Sequence, residues 1–152
     1  MVTTGAVAAA AGFLLGVLWM DLMFDGQARS GRGVLDEPVL ASIAGYYRRA
    51  TTTSRPRGAL IAVVMVTLLG LLGAEAVSGD RPGWLLVLSA GLAGGPILLA
   101  WARTVRNAVR LGTRQDGADE QSRLARAIYR DHLVCLAGIA AFLALWLIPV
   151  LG

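Results

Sequence analysis

The chain has 152 residues, enough for one domain, and its net charge of +4 comes from fourteen basic residues, all arginine, against ten acidic ones. Apolar residues make up 56% before glycine is counted, where an ordinary soluble domain holds about 45–50% with glycine included. The one cysteine, Cys135, excludes an internal disulfide, an iron–sulfur cluster and a cysteine-built zinc site within one chain, and the long apolar blocks make membrane-side arginines, not nucleic-acid contacts, the expected use of the basic charge.

The first apolar block runs over residues 4–24, TGAVAAAAGFLLGVLWMDLMF. No basic stretch precedes it and no small-x-small cleavage site follows it, so a retained helix is expected rather than a signal peptide. A polar loop over 25–57 then contains EPVLASIAGYYRRA, residues 37–50. There Val39, Leu40, Ile43 and Tyr46/Tyr47 recur at helical spacing, which predicts a short amphipathic helix lying along the membrane interface. The second block is 58–78. A turn, Gly79-Asp80-Arg81-Pro82-Gly83, leads to the third block, 84–102, bounded by Trp84 and Trp101. A polar stretch over 103–130, broken around Asp116-Gly117, leads to the fourth block, 132–150. Each block has about the 20 residues that cross a hydrocarbon core. The expected fold is therefore all-α: an integral membrane four-helix bundle with a short interfacial helix in the first cytoplasmic loop.

Arginine sets the orientation. The loop between the first two spans holds six, the loop between the last two holds seven, and the turn between the second and third holds only Arg81. The positive-inside rule places both long loops in the cytoplasm and both termini outside the cell membrane.

Several residues stand out against this frame. Asp21 and Asp25 share a helix face at i and i+4, near the cytoplasmic end of the first span. An acid within a membrane is costly and marks a metal, proton or substrate site. The structural alternative is that Asp21 pairs with an arginine and Asp25 already lies in the interface, which makes Asp21 the deeper of the two. Asp131, His132 and Cys135 fall at the same depth, at the start of the fourth span, and His132 is the only histidine. Asp21, Asp25 and His132 together would suit a divalent metal. Arg103, Asn107, Arg110 and Arg114 align along one helix face. They suit an anionic group of a substrate, or else lipid headgroups and the acids Asp116, Asp119 and Glu120. Tyr46, Tyr47, Arg48 and Arg49 read as an interfacial anchor. Tyr129, one turn before His132, extends its polar neighbourhood towards a substrate. Glu75 is expected to meet Arg81 or the surface. Gly12 and Gly16 form a GxxxG, and Gly91, Gly94 and Gly95 line the third span, where close helix approach is expected. Gly94-Gly95-Pro96 predicts a kink. No P-loop, HExxH, GxSxG, CxxC or GxGxxG occurs.

The order of elements, with RTVRNAVRLG in the second polar loop and RDHLVCLAGIAAFLALWL at the last span, resembles small four-helix membrane proteins of the anthrone oxygenase-like family. That resemblance implies cofactor-independent oxidation of polyketide anthrones, with His132 and Asn107 as polar site residues, although an Asn-rich stretch associated with the family is here reduced to Asn107. The leading expectation is a membrane enzyme on a lipophilic substrate at the cytoplasmic end, with His132, Asp21 and Asn107 catalytic and Arg103, Arg110, Arg114 and Tyr129 binding. Two other classes fit: a non-enzymatic scaffold that associates with itself or another membrane protein, and an oligomeric transporter or channel that uses Asp21. Membrane lipids are the expected surroundings in each case.

Overall fold

A computed structural model describes residues 2–29, 33–53, 55–79 and 81–151, and among these every regular element is helical. Helix α1 is Val2–Asp25, extended by a 3₁₀ turn over Gly26–Arg29. Helix α2 is Glu37–Arg48, with Pro38 in its first turn, where a missing N–H costs nothing. A π-helical turn, Arg49–Thr53, leads from it towards α3, Arg55–Ser78. Gly79 adopts φ +73, a backbone conformation glycine enters without steric cost, and it ends α3.

The third block is a run of short helices joined in one line: α4 (Gly83–Ser89), α5 (Gly95–Leu99) and α6 (Val105–Thr113). π-helical turns at Ala90–Gly94 and Ala100–Thr104 join them. Pro96 sits in the first turn of α5, immediately after the first π turn. Irregularity at Gly94-Gly95-Pro96 thus takes the form of π turns on either side of the proline. Helix α7, Ala118–Leu151, is continuous for 34 residues, with Asp119 and Glu120 in its first turn against the positive end of the helix dipole.

Four helical stretches are long and apolar enough to cross a membrane: Thr3–Arg29, Pro56–Ser78, Gly83–Thr113 and Ala118–Ile148. Helix α7 is central. It packs along α1 and along α5 and α6, while α1 also packs on α3. Helix α3 meets the third stretch along α4 and the π turn after it. One core, with Val7, Ala11, Leu14, Leu68, Ile97, Phe142 and Trp146, fills the interior towards the turn between α3 and α4. A second core lies at the opposite end. There Leu40, Ile43, Ala44, Tyr46 and Tyr47 of α2 pack with Ala108 and Leu111 of α6 and Leu124 and Ile128 of α7.

In that second core the apolar face of α2 is covered by protein. Leu40 and Ile43 are 0% exposed, and the helix closes one end of the protein against α6 and α7. Close approach also occurs at other glycines than expected. A Cβ on Gly12, Gly16, Gly91, Gly94 or Gly95 would meet nothing within 4 Å. On Gly112 it would lie 2.9 Å from the backbone N of Arg48, and on Gly138 it would lie 2.7 Å from Pro96 Cγ. Gly112 lets α2 dock on α6, and Gly138 lets the proline turn dock on α7.

Candidate functional site

Buried polar side chains concentrate where α2 closes over the ends of α1 and α3 and the middle of α7. Two linked groups form there. In the first, Arg57 of α3 donates to Asp21 Oδ1 at 2.8 Å and to the Tyr46 hydroxyl oxygen at 2.8 Å. Tyr46 donates its own proton to Asp21. Phe24 stacks on the Tyr46 ring with centroids 4.1 Å apart, and the Arg57 guanidinium lies 5.5 Å from the same ring's centroid. In the second, the Tyr47 hydroxyl donates to Asp25 Oδ1 at 2.6 Å, and His132 Nδ1 lies 2.6 Å from Asp25 Oδ2.

Asp25 is 0% exposed and receives Tyr47 on one oxygen, while His132 Nδ1 lies against the other. Nε2 of His132 has no hydrogen-bond partner among the described residues. Burial pushes the Tyr46 hydroxyl well above the usual tyrosine range, assisted by the Asp21 charge and opposed by Arg57. Burial, then the charge of Asp25, pushes Tyr47 up as well. Both tyrosines therefore remain protonated donors to their carboxylates.

A cavity of about 170 Å³ adjoins these groups. Its polar walls are Asp21, Tyr47, Thr51, Arg57, Thr104 and His132, and Cys135 stands one helical turn beyond His132. The remaining walls are mostly apolar, including Leu14, Leu18, Ile61, Met65, Ile97 and Ile139. Asp25 does not line the cavity; it holds His132, which does. Such a space suits an apolar molecule with one polar or acidic position set against an imidazole.

Asp21 and His132, expected to converge, do border one cavity. Asn107 lies beside the buried stripe of Thr104, Ala108 and Leu111 and does not reach that cavity. Tyr129 is half-buried and outside it as well. The arginine row is engaged with acids: Arg103 with Asp131 at 3.2 Å, Arg110 with Asp116 at 2.8 Å and Glu120 at 3.0 Å, and Arg114 with Glu37 at 2.8 Å. Asp25 is fully buried within the protein, because α2 folds back over it, while the Asp21 side chain keeps 14% exposure. Among the described residues no three His, Cys, Asp or Glu side chains gather as a metal-ligand set. Asp21 turns to Arg57 and Tyr46 while Asp25 turns to His132, so the expected triad of metal ligands is split between two networks.

Sequence reasoning missed Arg57, Tyr46 and Tyr47 as site residues. An arginine or tyrosine beside a span has the same local sequence whether it meets headgroups or a buried carboxylate. Beyond Asp21 the interior is the apolar core of Leu14, Leu68, Ile97 and Phe142. No family model, curated protein or solved structure matches the chain.

Proposed function

We propose that this chain is a multi-pass protein of the cell membrane, a four-helix bundle with its two long loops cytoplasmic and both termini outside. We propose further that it is an enzyme that removes a proton from a lipophilic substrate. The arginine distribution, six and seven against one, supports the orientation. The exposed Trp84 and Trp101 near the ends of the third span suit the two interfaces. The observation that carries the enzymatic reading is the pairing of His132 with the buried Asp25 on the wall of a mostly apolar cavity.

In this reading Nε2 of His132 is the general base. Asp25 fixes the tautomer and stabilises the imidazolium that forms. Arg57, on the same wall, stabilises the negative charge left on the substrate. Asn107, off the wall, is replaced by Arg57 in that role. The resemblance to the anthrone oxygenase-like family supplies a substrate class: a polyketide anthrone, whose deprotonation precedes oxidation. The chain in detergent, incubated with a hydroxylated anthrone in air, is expected to speed formation of the quinone chromophore. His132→Gln is expected to remove about 10²–10⁴-fold of that acceleration, the usual contribution of a positioned base. No acceleration by the unaltered chain, or full activity in His132→Gln, contradicts the reading.

A further inference from the structure

Three hollows of this molecule share walls. Ala50, Thr51, Gly58, Ile61, Met65 and Val105 line the His132 cavity and also a groove between α3 and the third long stretch. The groove exists because α3 packs on that stretch along α4 and the following π turn, and parts from it towards α2. Thr51 and Val109 of the groove are in turn walls of a third hollow, between α2 and α6. The only charged residues lining that hollow are Arg48 and Arg114. Arg114 donates to both carboxylate oxygens of Glu37, whereas Arg48 has no carboxylate partner among the described residues. The backbone of Arg48 is fixed in place by its close approach to Gly112.

We propose that these hollows seat an acidic lipophile drawn sideways from the bilayer, a molecule with one carboxylate and a long apolar body. Its carboxylate rests on Arg48, its body lies in the groove at Gly58, and its far part reaches the cavity. The charge pattern selects this occupant: with Arg114 paired to Glu37, the Arg48 guanidinium is left over for an anionic head, and no carboxylate lines the hollow to hold a cationic one. The apolar groove selects a hydrocarbon body over a free small anion. The inference rests on the membrane and cavity reading above, not on the anthrone, and adds to it a second class of ligand.

Cys135 is the only thiol and lines the cavity, so it reports on occupancy. The full chain in phosphatidylcholine nanodiscs is treated with N-ethylmaleimide, and alkylation is followed by intact mass. Oleate is expected to slow alkylation by about tenfold more than oleyl alcohol at equal load, the scale of one charge-assisted hydrogen bond. Arg48→Ala is expected to bring oleate down to the level of the alcohol. Gly58→Leu, at a position with nothing within 4 Å of its Cβ, is expected to slow alkylation without any ligand by narrowing the mouth. Arg106→Ala, exposed and off all three hollows, is expected to change nothing. Equal protection by oleate and alcohol overturns the proposal. So does an Arg106→Ala effect as large as that of Arg48→Ala. His132→Gln is expected to keep oleate protection. Lost anthrone oxidation in the unaltered chain with protection intact counts against the base alone, and lost protection with oxidation intact counts against this seat alone.

Discussion

The two ends of the molecule bury polar groups in different ways. Where α3 turns into α4, Arg81 reaches Glu75 at 3.3 Å and the Thr4 hydroxyl at 2.8 Å, and its guanidinium lies 5.0 Å from the Trp146 ring centroid. Trp146 in turn donates to Ser89 at 2.8 Å. These contacts tie the N-terminal part of α1 to the helices around the turn, and the core beneath them is apolar. Under α2, by contrast, two carboxylates, an imidazole, a guanidinium and two phenols bond one another beside a cavity. A protein that needed only to close both ends could use the first solution twice. Desolvating Asp25 is expensive unless it is hydrogen-bonded, and Tyr47 and His132 supply one partner to each of its oxygens beside the cavity.

The largest expected effect breaks that network. Asp25→Leu leaves His132 and Tyr47 without their acceptor and should destabilise the chain in detergent by about 3–5 kcal/mol, read by chemical unfolding. A loss under about 1 kcal/mol would put the pair in the weak class of exposed ion pairs. Gly112→Ala is next. Its Cβ would meet Arg48 backbone, which cannot rotate away, and overpacking of this kind costs about 1–3 kcal/mol. Hydrogen exchange should rise across residues 37–48 and stay unchanged across 83–89; equal rises at both ends would erase the distinction between them. Tyr47→Phe removes one of two donors to Asp25 and should cost about 1–2 kcal/mol. Arg81→Ala should cost about 1 kcal/mol, from the lost cation–π and ion-pair contacts, and should leave anthrone oxidation untouched. Gly12→Ala, with open space at its Cβ, should stay within about 0.5 kcal/mol of the parent, as surface substitutions do.

Much of this arrangement was legible beforehand. Four apolar blocks of span length, the helix after Pro38 and the break near Gly117 follow from hydropathy and turn chemistry, which act locally. That Asp21 and His132 belong to one end also followed, because span order fixes depth. What lay beyond reach was which helices adjoin. The full burial of Asp25 follows from α2 folding over it, which distance along α1 does not reveal. Arg57 looked like one more loop arginine, and Tyr46 and Tyr47 looked like interface anchors, because their carboxylate partners are 36, 25 and 22 residues away in sequence. Asn107 lies off the cavity because the face that α6 buries is the one adjacent to its row with Arg103 and Arg110, through Ala108 and Leu111.

The central claim is that Asp25 holds His132 with its proton on Nδ1 and leaves Nε2 free for the cavity. Because the chain has one histidine, the imidazole ¹⁵N spectrum of the tag-free protein at neutral pH contains a single residue. The account predicts a protonated Nδ1 and an unprotonated Nε2, with the two tautomers mixing in Asp25→Asn. A proton on Nε2 in the unaltered chain, or a spectrum indifferent to Asp25→Asn, would contradict it.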